Sequence, residues 1–401
     1  MSVTSVGGGI TAPSGFRAAG VAAGIKASGA LDIALIVADA PAAGAALFTT
    51  NQVQAAPVAV SRGHLESSCG VLRAVIVNSG CANACTGDQG FETANAMAAE
   101  IARAIDCPPE QVLVASTGVI GVHLNRARVL AGCRAAVSAL SRDGKGAALG
   151  IMTTDLGPKE CAVRVETPSG AFHVGGIAKG AGMIEPMLAT MLAFLTTDAQ
   201  VPPVLLQRAL DDVADRTFNA ITVDGECSTN DTLVALASGA SGVVIDEASY
   251  DALVSGLEAV ARPLALQIVR GGEGATKLVS IRVTGGESRD AAVRAAKTIA
   301  NSPLVKTAVH GADPNWGRLV AAAGRSGARF AIDRATVEVG GITLFRDGQP
   351  FDDRAPEAAE HLKQPEIDIR VDLGTGGNGE ATVWTCDLSA EYVRINGEYR
   401  T

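Results

Sequence analysis

Lys179-Gly-Ala-Gly-Met-Ile-Glu-Pro-Met-Leu-Ala-Thr190-Met-Leu-Ala-Phe-Leu-Thr-Thr-Asp198 is a loop that turns into a strand. A stretch broken by glycines and a proline gives way to an apolar run that opens on a lone threonine. An Ala-Thr pair by itself most often marks only the first residue of a half-buried strand. A Thr hydroxyl is a poor nucleophile, and one route to its activation is the free α-amine of the same residue, which exists only after the preceding peptide bond has broken. Such an amine titrates near ~7.7–8.0 and can serve as a base at neutral pH. Thr190 would be a nucleophile of this kind if the chain were cut between Ala189 and Thr190, a reading that the pair alone leaves open beside the plain strand start.

The rest of the chain supplies an ordinary enzyme background. Its 401 residues are enough for two or three core-forming units. Hydrophobic residues make up 47% and aromatics only 3%, so the interior must be built from closely packed Ala, Val, Leu and Ile. The net charge of −9 comes without a basic run, which argues against nucleic acid as a partner. No apolar run reaches the length of a membrane span, and the N-terminus lacks the basic and apolar regions of a signal peptide. A cytoplasmic protein with no membrane partner is expected. The cysteines at 69, 81, 85, 107, 133, 161, 227 and 386 read as small buried hydrophobes, and the Cys81/Cys85 pair has no second pair at zinc-site spacing, so no metal is expected.

Strand-like runs at Leu31–Val37, Leu72–Val77 and Val112–Ala115 alternate with helical patterns at Gln89–Ile105 and Asn125–Leu140, which implies mixed α/β layers. Leu156-Gly-Pro158 reads as a turn before a strand at Cys161–Val165. Beyond Thr190 the pattern predicts a strand to Thr196, a helix over Pro203–Thr217, a strand at Thr232–Ala237 and a helix from Glu247 to Val269 that Pro263 should break or kink. A fresh unit begins near Gly274, with a strand at Lys277–Val283, a helix at Asp290–Ala300 and a more β-rich tail.

Two glycine motifs fail on context. Gly374-Thr-Gly-Gly-Asn-Gly379 matches a dinucleotide-binding spacing, but a strand rather than a helix follows it, so a hairpin turn is the better reading. Gly271-Gly-Glu-Gly274 has neither the spacing nor the residue order of a phosphate loop. Ser116-Thr117-Gly118, at the end of an apolar strand, offers a hydroxyl and a flexible backbone N–H, the kind of donors that stabilise a carbonyl oxyanion. A plain strand-to-loop turn accounts for the same three residues.

Several segments in a fixed order resolve that choice: Asn78-Ser-Gly-Cys-Ala-Asn-Ala-Cys-Thr-Gly87, Ser116-Thr-Gly-Val-Ile-Gly121, Ile151-Met-Thr-Thr-Asp155, the stretch ending in Thr190, Asp224-Gly-Glu-Cys-Ser-Thr-Asn-Asp-Thr232 and Gly311-Ala-Asp-Pro-Asn-Trp-Gly-Arg318. Together they resemble the ornithine acetyltransferase family, from about Thr11 to Thr401. The resemblance implies a layered αββα sandwich of the self-processing aminopeptidase type with a smaller β-rich α+β domain at the C-terminus. Its cleavage site and the fresh unit near Gly274 divide the chain into 1–189, 190–273 and 274–401, and the resemblance implies that the tail returns to the active site and that the two cleaved chains assemble as a heterotetramer.

It also implies that Thr190 is the nucleophile, that Thr117 and Gly118 form the oxyanion hole, and that Thr153, Lys179, Thr190, Glu273, Asn396 and Thr401 contact substrate. A fixed cation at Lys179 would suit an amino-acid α-carboxylate, and Glu273 could pair with a substrate ammonium. The implied reaction passes acetyl from N²-acetylornithine to glutamate with no organic cofactor and no metal. Acetyl-CoA stands as an open co-substrate, since some members of the family use it. A self-processing aminopeptidase or amidase, with water as acceptor, is the rival enzyme; an uncleaved scaffold is the rival outside catalysis.

Overall fold

A strand covered on both faces must be apolar at successive positions, and Ile33–Val37 meets that demand. In the computed structural model, which describes residues 1–185 and 191–398, Ile33, Leu35 and Val37 join a cluster with Met97, Ile101 and Val129. Ala34, Ile36 and Ala38 point the other way, into a cluster with Ile177, Phe194 and Leu236. The strands of this unit are β1 (Ser2–Ser5), β2 (Phe16–Val21), β3 (Ile33–Phe48), β4 (Val71–Cys81), β5 (Val112–Val119), β6 (Lys159–Thr167), β7 (Gly170–Lys179), β8 (Leu192–Thr197) and β9 (Thr232–Ala237). They follow the order β1-β6-β7-β8-β9-β3-β4-β5, with β2 also on β3.

The 16-residue β3 makes this one sheet into two layers. Its first half pairs with β2 and its second half with β9, and its register on β4 shifts between Val37 and Ala42. One apolar cluster unites Val75, Val77, Leu113 and Ala115 from one layer with Leu192, Phe194, Val234 and Leu236 from the other. The helices here are α1 (Ala56–Ser67), α2 (Gly87–Ala104), α3 (Arg126–Ser138), α4 (Lys145–Gly150), α5 (Pro203–Ala214) and α6 (Tyr250–Arg270). α2 and α3 cover the outer face of the first layer through Met97, Ile101, Val129 and Cys133. α6 covers the second, where Val260 and Leu264 lie against Gly176. The resulting order is helix, sheet, sheet, helix, the layering that the family resemblance implied.

Residues 220–225 and 269–398 form a second compact unit, while 1–219 and 226–268 belong to the first. The second unit also takes in a short segment from earlier in the chain. Its strands β10 (Leu278–Gly286), β11 (Thr336–Val339), β12 (Ile342–Arg346), β13 (Gln349–Pro350), β14 (Glu366–Asp372) and β15 (Gly379–Cys386) order as β13-β12-β11-β14-β10-β15. Here the strands alternate. Val279, Ile281, Val283, Ile367, Ile369 and Val371 pack against α7 (Arg289–Ala300) and α9 (Trp316–Gly324). The intervening Arg282 pairs with Glu380, and Arg370 with Glu338, on the open face. The tail holds α8 (Pro303–His310), α10 (Ala355–Leu362) and α11 (Ala390–Glu398), so it carries more helix than expected.

Three expectations need correction. Pro263 does not break its helix: α6 runs through it to Arg270. Proline leaves the carbonyl four residues back without its helical donor, and the Cys161 thiol takes that place on Ala259 O at 3.8 Å. The Gly374–Gly379 loop is not a hairpin, because β14 and β15 lie on opposite sides of β10. The loop crosses the end of β10 so closely that a Cβ on Gly377 would sit 2.0 Å from Gly286 O. Finally, the cysteines are not uniformly buried. Cys81, Cys133 and Cys386 are, but Cys69 and Cys85 are exposed at left-handed turn positions, with φ of 53° and 57°.

Candidate active site

β4 and β5 are neighbouring parallel strands that end together. Ser79 stands opposite Thr117 and Gly80 opposite Gly118. Only glycine fits at 118, since φ is +131° and a Cβ would lie 2.3 Å from the Gly80 carbonyl carbon. Buried amides tie the two strand ends. Ser116 Oγ donates to Asn78 Oδ1 at 2.6 Å, and Asn78 Nδ2 donates to Cys81 O at 2.8 Å. Asn230 Nδ2 reaches across to Ala82 O at 2.6 Å and Ser116 O at 2.9 Å. Networks of this sort rigidify when every member is satisfied, and among the described residues no buried side-chain nitrogen or oxygen lacks a partner.

Lys179, at the end of β7 and only 8% exposed, donates from Nζ to Thr117 Oγ1 at 3.0 Å. Behind it Asp155, whose side chain is wholly buried, accepts from Lys159 Nζ at 2.5 Å, Gly180 N at 2.8 Å and Thr153 N at 3.0 Å. Burial alone would raise the Asp155 carboxyl. The Lys179 and Lys159 ammoniums, with hydrogen bonds from Lys159 and Gly180, instead hold it below the usual carboxylate range. Asp231 is the opposite case: burial and Cys227 push its carboxyl well above that range, against the pull of Ser228, Thr49 and Lys179. Lys179 pairs with Leu192 at the start of β8, so this assembly lies across from the strand that follows Thr190.

Of the residues expected at the site, Thr117, Gly118, Lys179 and, through Asp155, Thr153 are gathered in the first unit. Glu273 and Asn396 meet in the second, where Asn396 Nδ2 donates to Glu273 Oε2 at 2.9 Å. Gly274 beside them has φ of +70° and packs on Tyr392 N in α11, a structural duty that fits no phosphate loop. Ala189, Thr190 and Thr401 lie outside the described residues.

The model of the ArgJ family matches residues 17–401. The chain belongs to the ArgJ family. It is 49% identical to the arginine biosynthesis bifunctional protein ArgJ of Symbiobacterium thermophilum, over 98% of this chain and 99% of that one. It is 51% identical to the protein of the same name from Chlorobium chlorochromatii, over 97% of this chain and 91% of that one. It is thus an acyltransferase of arginine biosynthesis. Two solved structures align over about half of this chain. ArgJ from Bacillus halodurans covers 51% of it and 97% of the solved chain at 40% identity, TM-score 0.49. Ornithine acetyltransferase from Mycobacterium tuberculosis, complexed with ornithine, covers 47% and 100% at 47% identity, TM-score 0.44.

In this ArgJ-family chain, sequence reasoning missed Asp155, Asn78 and Asn230 as members of the site, although each lies inside a quoted motif. The signal available was a polar residue beside a strand end. What each residue holds becomes visible only once distant segments meet.

Proposed function

We propose that this family member is a self-processing acetyltransferase that moves acetyl from N²-acetylornithine to glutamate through an ester on Thr190. The observation that carries this reading is the Lys179–Thr117 contact beside Gly118. Because Lys179 donates to Thr117 Oγ1, the hydroxyl's own proton is left to point at an oxyanion, next to the Gly118 amide. The Thr190 α-amine takes the hydroxyl proton as Oγ attacks the acetyl carbonyl, and the tetrahedral oxyanion rests on Thr117 and Gly118. Collapse expels ornithine, whose nitrogen receives the proton. The α-amine of glutamate then attacks the ester, N-acetylglutamate leaves, and the proton returns to Thr190. Thr153, Lys179, Glu273, Asn396 and Thr401 contact the substrates. The steps call for neither metal nor organic cofactor, with acetyl-CoA an optional acetyl source. We place the enzyme in the cytoplasm as a heterotetramer of chains 1–189 and 190–401.

Intact-mass analysis of active protein tests the reading, with two chains meeting at Ala189–Thr190 as the expected result. A single full-length species that still transfers acetyl would refute it. Thr190→Ala should block both cleavage and transfer. Release of acetate without N-acetylglutamate, in the presence of glutamate, would favour the amidase instead.

A further inference from the structure

Lys26 sits in the loop between β2 and β3, where a lysine would ordinarily extend into water. Here the loop is pinned. Buried Asp32 accepts Ala23 N at 2.6 Å on one oxygen, and Ile25 N at 2.6 Å and Lys26 N at 3.1 Å on the other. The Lys26 ammonium turns back to donate to Leu31 O at 2.6 Å, and its stem lies over Gly80, with Cγ 3.0 Å from where a Cβ would stand. Gly80 is the residue opposite Gly118. The loop therefore delivers a half-buried cation beside the oxyanion turn, on the strand next to the one that carries Thr117.

Lys26 and Lys179 are close enough to feel each other's charge. Burial lowers the Lys26 ammonium, Asp32 raises it, Lys179 lowers it and Asp155 raises it. Asp155 is already bonded to Lys159 and Gly180, and Asp32 to three backbone amides. Asp231 is held toward its neutral form. Two ammoniums thus converge on the ends of β4 and β5, Lys26 over Gly80 and Lys179 on Thr117. An anion between them would answer both, and an ammonium keeps donors to spare after one hydrogen bond.

We propose that Lys26 is a substrate-binding residue that, beside Lys179, holds the α-carboxylate of the amino-acid substrate. The inference rests on the acetyl-transfer reading above. With the acetyl oxygen at Gly118, the carboxylate on the carbon that bears the acetylated nitrogen falls within a few ångströms of the turn, whereas the side-chain ends of ornithine and glutamate reach further. Both substrates share that carboxylate, so one clamp serves both half-reactions.

The test compares wild type, Lys26→Gln and Lys26→Arg in steady-state transfer, alongside calorimetric binding of ornithine. Lys26→Gln should raise KM for acetylornithine and for glutamate about tenfold or more, the size expected for a hydrogen bond to a charged group. kcat should change less than KM, ornithine binding should weaken by a like factor, and Lys26→Arg should recover most of the loss. The kcat/KM preference for acetylornithine over its decarboxylated analogue, N-acetyl-1,4-diaminobutane, should shrink in Lys26→Gln. Unchanged KM and ornithine affinity, or an equal loss for the analogue, would overturn the assignment. Wild-type protein that transfers no acetyl yet binds ornithine through Lys26 would sink the reaction and leave the clamp standing.

Discussion

Around Thr117 and Gly118 each polar partner is buried and already committed: Asn78 to Ser116, Asn230 to Ser116 and Ala82, Asp155 to Lys159, Thr153 and Gly180. Glu273 and Asn396 instead meet in solvent through a single hydrogen bond. The proposed acetyl transfer asks different things of the two regions. Groups that stabilise a transition state must be in place beforehand and shielded from water, where each interaction counts for more. Groups that select and release a substrate can stay wet and adaptable. Substitutions in the first region should therefore fall on stability and kcat, and those in the second on KM.

The largest effect is expected at Asp155. Asp155→Asn leaves the Lys159 ammonium buried without its counter-charge, which costs about 3–5 kcal/mol in comparable pairs, read as a fall in the urea midpoint. The pH dependence carries the same signature. The folded carboxyl titrates below its ordinary 3.8, so its stabilisation is present above that pH and drains away as pH falls through the folded value. The acid-side loss should be smaller in Asp155→Asn; identical profiles would show that the ion pair contributes nothing.

Next comes Thr117→Ala. Loss of one oxyanion donor typically costs ~10²–10³ in kcat, or about 2.7–4 kcal/mol, with KM much less affected. A change under about threefold would remove Thr117 from the chemistry. The smallest effects belong to Glu273→Gln and Asn396→Ala. Each should raise KM for acetylornithine several-fold while leaving the urea midpoint within about 0.5 kcal/mol of wild type. A kcat collapse in either would erase the contrast between the two regions.

The same contrast decides what could be read in advance. The place of Thr117 and Gly118 at a strand end was legible because an apolar run precedes them, and runs of apolar residues gave β4, β5, β9 and the start of β10. Asn230 was not, since its bond to Ser116 spans 114 residues. Asp155 stands before a Leu-Gly-Pro turn that reads only as an element boundary, and its bond to Gly180 is equally invisible in one dimension. β3 runs on to Phe48, well past the strand-like run that the sequence shows up to Val37, and across Asp39 and Pro41. In the fold those residues are the exposed bend where the strand changes layers. The Gly374–Gly379 loop misled for a related reason: whether two strands pair depends on what inserts between them.

The strand order has a mechanical consequence if the backbone is severed between β7 and β8. β8 is zipped to β7 from Val174–Thr197 to Lys179–Leu192, and β9, which follows β8, is zipped to β3 from Ala43–Ala237 to Phe48–Thr232. The downstream fragment would thus lie spliced into the upstream one, like a strand tucked into a rope, with ladders to unpick on both edges before the halves could part. A nick there frees a chain end without freeing a chain. The fragments should travel together through native chromatography and refuse to exchange with separately made partners, so that scission costs the molecule almost none of its integrity.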